Sequence, residues 1–159
     1  MDNRAENTFD MVIEHRTVLP ALSRGNTLSS GDTPGSRLRQ ARLAKNMTIR
    51  DLAAASGLTS TTIISLEGDK TKATLPHLRH LSQALNVPIY YLGCFENLPE
   101  STLGQRIKKA RLFHGLTKEE LSKVIGVDPK TLRSWEHDKQ KPLQRYLTVI
   151  RTYLAILEK

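Results

Sequence analysis

The segment GSRLRQARL at residues 35–43 recurs later in the chain as GQRIKKARL at residues 104–112. The similarity continues without a gap as far as Lys70 in the first copy and Lys139 in the second. Self-similarity at one fixed spacing indicates a repeated structural unit. Because only two copies are present, each must form a hydrophobic core of its own instead of stacking as a solenoid does. The sequence therefore predicts two small domains in one chain.

The repeats set the predicted domain boundaries. Each repeat has about 55–60 residues, which is near the lower limit for a domain that folds alone. The prediction comprises a flexible N-terminal arm at residues 1–34, a first domain at 35–93, a linker at 94–103, and a second domain at 104–159 with a long C-terminal helix.

The charge of the chain is unevenly distributed. Its 159 residues include 24 lysines and arginines against 16 acidic residues, which gives a net charge of +8. The positive excess lies in the two repeats, whereas residues 1–34 and 94–103 are acidic on balance. A basic surface on folded domains is typical of a protein that binds a polyanion. The alternative is a basic surface that contacts only solvent.

No set of residues in the sequence suits catalysis or metal binding. Cys94 is the single cysteine, so neither an intramolecular disulfide nor a cysteine zinc site is expected. His77 and His80 share one helix face, but no third ligand is evident. We therefore expect no enzymatic activity, no metal site, no cofactor and no small-molecule ligand. Because neither a signal peptide nor a long apolar run is visible, we expect a cytoplasmic protein without membrane contact.

Capping residues and glycines divide each repeat into a string of short helices. Thr48 begins a helix with a capping-box pattern, and Gly57 ends it at a turn that favours a left-handed residue. Thr117 and Gly126 repeat this arrangement in the second copy. Two helices joined by a tight turn at a glycine are the signature of the helix-turn-helix. The prediction is an all-α fold of two tandem helix-turn-helix bundles, each with four to five helices.

Both repeats resemble the phage-repressor (Xre/Cro/C1-type) helix-turn-helix family. Three patterns present in both copies carry the resemblance: Arg-x-x-x-Ala-Arg-Leu, then Thr-x-x-x-Leu-Ala/Ser-x-x-x-Gly-Leu/Val, then Thr-Ile/Leu-x-Ser-Leu/Trp-Glu. The resemblance implies two lambda-repressor-like bundles and sequence-specific binding of double-stranded DNA. It implies a transcriptional regulator, which we expect to be a repressor acting at the bacterial nucleoid. The alternative is a protein-interaction adaptor or an antitoxin-like protein, in which one module docks a protein partner.

The resemblance also assigns a structural role to two pairs of charged residues. In the family, an arginine on the first helix and a glutamate at the end of the third form a buried ion pair. The matching residues are Arg42 with Glu67 in the first repeat, and Arg111 with Glu136 in the second. Since breaking a buried pair costs about 3–5 kcal/mol, we interpret both pairs as structural.

The third helix of each repeat is expected to lie in the major groove and to contact bases. The base-facing positions are Ser60, Thr61, Ile64 and Ser65 in the first repeat, and Lys130, Arg133 and Ser134 in the second. The first set offers hydroxyl and methyl groups, which suit thymine methyls but provide no bidentate contact. Lys130 and Arg133 suit guanine, with contacts to phosphate alone as the alternative.

Lysines after the third helix and at the start of the second are candidates for contacts to the DNA backbone. The predicted phosphate-contacting residues are Lys70, Thr71, Lys72, Lys118, Lys139 and Lys141. Such contacts fix register without reading sequence. The alternative for the loop lysines is a solvated loop. Ile49 stands where the second repeat has Lys118 and is unable to contact a phosphate, which weakens the expected DNA contact of the first module.

Two further features concern geometry and partners. Residues 94–103, if fully extended, span about 33–36 Å, close to the separation of half-sites one turn of B-DNA apart. One chain would then imitate a dimer. The final helix, predicted from Leu143 to Leu157, has more apolar residues than one small domain needs. This surplus predicts packing on the other module or a homodimer contact through residues 143–157.

Overall fold

The computed structural model describes residues 32–158, and within this range the protein is helical and has no strand. The first module contains five helices: α1, Pro34–Ala44; α2, Ile49–Ser56; α3, Ser60–Glu67; α4, Leu75–Leu85; and α5, Ile89–Leu92. The second module contains four: α6, Leu103–Phe113; α7, Lys118–Ile125; α8, Pro129–Glu136; and α9, Gln144–Leu154. The prediction of an all-α fold with two tandem bundles is confirmed.

Side-chain caps begin the helices of both modules. Thr48 accepts a hydrogen bond from the backbone N–H of Asp51, and Thr117 accepts one from Glu120. In both cases the acidic side chain accepts a bond from the backbone N–H of the threonine, which completes the predicted capping box. Asp128 caps α8 before a proline in its first turn. These local bonds determine where the capped helices start, whereas α5 and α9 begin without a side-chain cap.

The turn between the two helices of each helix-turn-helix depends on a glycine. Gly57 ends α2 with φ +70°, and Gly126 ends α7 with φ +80°. This left-handed conformation strains a residue that has a Cβ atom, but it places no steric strain on glycine. The chain therefore reverses within a few residues, and the following helix begins at once.

Each module has its own hydrophobic core, as the repeat predicts. Leu52, Ile63 and Leu81 are fully buried in the first module, and Leu121 and Leu132 are buried in the second. These residues come from three successive helices of the first module and from α7 and α8 of the second. Their burial turns one face of α3 and one face of α8 inward and leaves the opposite faces to solvent.

Among the equivalent buried positions of the two cores, the largest difference in side-chain size is between Leu66 and Trp135. Trp135 packs against Tyr146, with the ring centroids 5.5 Å apart. Tyr146 lies on α9, which packs on α6 and α7 of its own module. One helix with large aromatic side chains thus closes the second module, whereas α4 and α5 close the first.

Three predicted segments can be compared with the structure, as far as the described residues reach. The predicted helix from Leu143 to Leu157 is instead α9 followed by a 3-10 turn at Ala155–Glu158, a tightening that is frequent at helix C-termini. The segment 94–103 is not extended, since it contains a 3-10 turn at Phe95–Asn97 and its last residue begins α6. The predicted arm at 1–34 lies outside the described residues except for its last three, of which Pro34 begins α1.

Candidate nucleic-acid interface

The helices that follow the glycine turns, α3 and α8, present their predicted base-facing residues to solvent. On α3, Thr61 and Ile64 are exposed while Ser60 and Ser65 are half-buried. Ile64 is 50% exposed, although it is a large apolar residue in the middle of a folded domain. The outer surface of α3 is therefore neutral and carries methyl and hydroxyl groups.

The corresponding surface of α8 is cationic. Lys130 and Arg133 occupy the positions equivalent to Thr61 and Ile64, and both are exposed. Ser134 is half-buried beside them. Neither cation forms an ion pair with another described residue, and the acidic neighbour Asp128 is engaged by the backbone N–H of Lys130 at 2.7 Å. The two charges of α8 are consequently available to a ligand.

A buried ion pair connects the first and third helices of each module. In the first, the Arg42 guanidinium donates to both carboxylate oxygens of Glu67 at 2.6 and 2.9 Å. Its remaining nitrogen donates to the carbonyl of Met47 at 2.8 Å. The hydrogen bond to Glu67 raises the pKa of Arg42 above its ordinary value. The pair orients α3 relative to α1 and so positions the outer surface of α3.

The second module repeats this arrangement with deeper burial. Arg111 donates to Glu136 at 2.5 and 3.2 Å and to the carbonyl of Leu116 at 2.8 Å. The side chain of Glu136 is 0% exposed. Charge-assisted bidentate bonds of this kind are directional, so they restrict the rotation of α8 as well as its position.

The loops after α3 and α8, residues 69–72 and 138–141, are named here the first and second clamp loops. Lys70, Thr71 and Lys72 in the first, like Lys139 and Lys141 in the second, are exposed. None of the four lysines forms an ion pair with another described residue. Each clamp loop thus presents two cations without an ion-pair partner among the described residues, close to the end of the helix that is predicted to face bases, which suits contacts to phosphate.

The aspartate that begins each clamp loop has a structural role that sequence reasoning missed. Asp69 has φ +52°, and its carboxylate accepts the backbone N–H of Gly35 at 2.9 Å and the Thr33 hydroxyl at 2.5 Å. Asp138 accepts the same two bonds from Gly104 and Thr102. The carboxylate therefore holds its clamp loop against the N-terminus of the first helix. The signal in the sequence was the recurrence of aspartate at this position in both copies.

Close packing supports the same contact in the first module. A Cβ atom added to Gly35 would lie 2.5 Å from the carbonyl oxygen of Leu66, a separation that real Cβ atoms do not reach. A side chain at this position would therefore push α1 away from α3. The glycine that begins each repeat is required for the approach of these two helices.

The start of the second helix differs between the modules. Ile49 is half-buried and packs on the core of the first module. Lys118, the equivalent residue, is half-buried at the first position of α7. Arg50, directly after Ile49, is exposed and forms no ion pair with a described residue. Arg50 is thus a further candidate for a phosphate contact. The signal available in the sequence was that it directly follows Ile49, the residue equivalent to Lys118.

Between residues 32 and 158, no group of three His, Cys, Asp or Glu residues is arranged to hold a metal ion. Likewise, no helix in this range has the length and apolar character needed to span a bilayer. The two modules share the glycine turn, the buried ion pair and the exposed third helix with its clamp loop.

These shared features define a helix-turn-helix protein, and the comparison with known families agrees. The model of the helix-turn-helix family matches the chain twice, over residues 38–92 and 107–156, which together make up more than half of it. The chain belongs to this family, of the Xre/Cro/C1 type, and contains two tandem copies. Membership supports a DNA-binding helix-turn-helix regulator in general. No significant similarity was found to a curated protein or to a solved structure.

Proposed function

We propose that the protein is a transcriptional repressor that binds double-stranded DNA sequence-specifically through both modules. The observation that supports this most directly is the outer surface of α8, where Lys130 and Arg133 are exposed and unpaired. The buried pair of Arg111 and Glu136 fixes the helix that carries them. Repression is proposed because occupying a promoter requires no surface beyond the DNA contacts, and the site of action would be the bacterial nucleoid.

The two modules are proposed to read chemically different half-sites. Arg133 and Lys130 provide donors for the O6 and N7 acceptors of guanine, where a good bidentate pair discriminates by about 1–3 kcal/mol. Ile64 and Thr61 provide methyl groups for the C5-methyl of thymine. Ser60, Ser65 and Ser134 would supplement these contacts with hydroxyl groups. The expected operator is therefore asymmetric, with guanine in one half and thymine in the other.

Contacts to phosphate are proposed for the lysines that surround these surfaces. They are Lys70, Lys72, Lys118, Lys139 and Lys141, together with the Thr71 hydroxyl. Each neutralised phosphate releases condensed counterions, so that the logarithm of the binding constant falls with the logarithm of salt by about 0.9 per contact. Removing one such lysine is expected to reduce this slope by about one and to leave sequence preference unchanged.

The test of this proposal is selection of duplexes from a random library, followed by titration of the enriched site across salt. The double variant Lys130→Ala/Arg133→Ala should lose or relax the guanine preference. The control is Lys108→Ala/Arg151→Ala, which removes the same charge from exposed positions on α6 and α9. If both double variants keep the wild-type preference, the assignment of α8 as a base-reading helix is wrong.

A protein-interaction role for the first module is the second candidate. It is favoured by the exposed apolar residues Ile64 and Leu43, which are 50% and 54% accessible, and by the lack of a cation on the outer surface of α3. Under this hypothesis the module would act as an adaptor or as an antitoxin does. Library selection separates the two, because one enriched motif assigns DNA reading to the second module alone. No enriched motif would favour the adaptor.

A homodimer through residues 143–157 remains a prediction. Most apolar residues of α9 pack inside their own module, with Ile150 and Leu154 buried. Leu143, immediately before the helix, is 59% exposed. Light scattering coupled to gel filtration, with and without Leu143→Glu, tests the prediction. A wild-type mass of 17.9 kDa, that of one chain, would contradict it.

A further inference from the structure

Side-chain contacts, and not only the linker, join the two modules. Arg79 on α4 donates through Nε to the carbonyl of Gly115 at 2.7 Å, and its guanidinium also forms an ion pair with Glu120 on α7. Tyr90 on α5 stacks on Phe113 at the end of α6, with ring centroids 4.7 Å apart and planes inclined by 11°. We call these five residues the inter-module contact: Arg79, Tyr90, Phe113, Gly115 and Glu120.

The segment between the modules is held from both sides. The Arg37 side chain, in the first module, forms an ion pair with the Glu96 carboxylate. Lys109, in the second module, is 7% exposed and donates to the Glu96 carbonyl at 3.0 Å. It also forms an ion pair with Glu100 at 3.0 Å. Because both modules bind the same residue, this segment is part of the packed structure and does not act as a free spacer.

The close approach of the modules depends on a glycine. Gly115 has φ +67°, and a Cβ atom added to it would lie 2.8 Å from Cδ1 of Ile89 on α5. A side chain at this position would therefore separate the modules as well as strain the turn. The equivalent residue in the first repeat is Asn46, which also has a left-handed conformation, with φ +54°. The glycine is consequently a feature of the second copy alone.

The inter-module contact reaches the part of the second module that orients its DNA-binding helices. Glu120, the partner of Arg79, also accepts the backbone N–H of Thr117 at 2.7 Å in the capping box that begins α7. Lys118, a predicted phosphate contact, lies between these two residues. In the first module, the side chain of the equivalent Asp51 bonds, among the described residues, only with Thr48. The first module thus contacts the helix start of the second, which ties the orientation of one to the other.

We propose that the inter-module contact sets one separation and one rotation between α3 and α8, so that the chain recognises a composite DNA site with a single spacing between its halves. This inference rests on the proposed function. Each added base pair moves the second half-site by about 3.4 Å and rotates it by about 35° around the duplex. Two modules joined by a flexible linker could bind both half-sites at the new spacing with little loss of affinity, because the effective concentration of the second module varies slowly with distance. Two modules held rigidly together would lose affinity when the spacing changes.

The first test varies the spacing in the site obtained by selection, by deleting one or two base pairs or inserting up to about five. Wild-type protein should bind best at one spacing and at least about tenfold more weakly after a change of two base pairs. The double variant Arg79→Ala/Tyr90→Ala should bind an isolated half-site like the wild type. Its affinity for the composite site should vary less than about threefold across the series. The control Arg106→Ala removes an exposed ion pair within the second module and should keep the wild-type spacing profile.

A second test needs no DNA. Spin labels at the equivalent exposed positions Ala54→Cys and Lys123→Cys, in a Cys94→Ser background, report the distance between α2 and α7. One narrow distance distribution is expected, and Arg79→Ala/Tyr90→Ala should broaden it. A broad distribution in the otherwise unaltered protein would show that the modules move independently and would overturn the inference.

The outcomes separate the inference from the proposed function. If the protein binds DNA specifically but tolerates every spacing, or uses one half-site only, the inference of a composite site is overturned. The proposal that the protein binds DNA is supported in that case. If no duplex is enriched, the proposed function fails and the composite site fails with it. A spacing profile that is steep in the wild type and equally steep in the double variant would show that other contacts fix the separation, and it would overturn the role given to Arg79 and Tyr90.

Discussion

Replacing Arg111 by alanine is expected to unfold the second module or to leave it marginally stable. The change leaves the Glu136 carboxylate, whose side chain is 0% exposed, without its partner. It also removes the donor to the Leu116 carbonyl. Removing one member of a buried pair costs about 3–5 kcal/mol. A domain of this size rarely has more than about 3–5 kcal/mol of stability from its core, so the loss is comparable to the whole.

The chain contains a suitable probe for this measurement. Trp135 is its single tryptophan, and it is buried at 3% exposure in the core of the second module. Its fluorescence during urea titration therefore reports that module alone. With a slope of about 1–3 kcal/mol per molar urea, a loss of about 4 kcal/mol lowers the midpoint by more than about 1 M. The wild-type curve gives the reference.

Two variants make the interpretation specific. Arg106→Ala breaks an exposed ion pair with Glu158, whose atoms lie 3.5 Å apart, and should cost less than about 1 kcal/mol. The double variant Arg111→Met/Glu136→Leu replaces both buried charges by apolar groups and should recover most of the stability. If Arg111→Ala shifts the midpoint no more than Arg106→Ala does, the buried pair does not stabilise the module and the reasoning is refuted.

Three further predictions concern packing, protonation and base contact. Gly104→Ala places a methyl group against the backbone carbonyl of Trp135, and overpacking of this kind should cost about 1–3 kcal/mol in the same urea assay. Burial lowers the pKa of His114 below its ordinary 6.5, so the unfolded chain binds protons more readily than the folded one. The contribution of the neutral imidazole to the free energy of unfolding should therefore be fully present above pH 6.5 and be lost as the pH falls below it. In His114→Gln the free energy of unfolding should fall less over the same pH range. Replacing thymine by uracil in the half-site of the first module should weaken DNA binding by the wild-type protein by about 0.8 kcal/mol, roughly fourfold. The same replacement should leave the affinity of the Ile64→Ser variant unchanged. An equal loss of affinity in both proteins would exclude the methyl contact.

Much of the fold was predictable because its signals are local. Thr48 and Thr117 mark helix starts through bonds to a residue three positions later, and Gly57 and Gly126 mark turns through their own backbone conformation. Such bonds depend on a few consecutive residues, which a sequence displays directly. The exposed positions of α3 and α8 that are predicted to face bases follow from the same signals, because they are counted from the start of a short helix.

Other features were missed because they join residues far apart in the chain. The sequence indicates no role for the carboxylate of Asp69, which accepts hydrogen bonds from the Thr33 hydroxyl and the backbone N–H of Gly35. For the linker predicted at residues 94–103, the sequence alone gives only the span of a fully extended chain, about 33–36 Å. Its actual course depends on Lys109, which contacts it from the next helix. Neither outcome is visible without the placement of the two helices.

By itself, the sequence determined the number of modules, the order and approximate limits of most helices, and the residues on the outer surfaces of α3 and α8. Repetition, capping and helical periodicity specify all of these within one module. Only the tertiary structure decided how the modules meet, through Arg79, Glu120 and the stacked rings of Tyr90 and Phe113. The physical reason is that the relative placement of the modules depends on the backbone angles of all the residues between them. No local sequence pattern specifies that combination of angles.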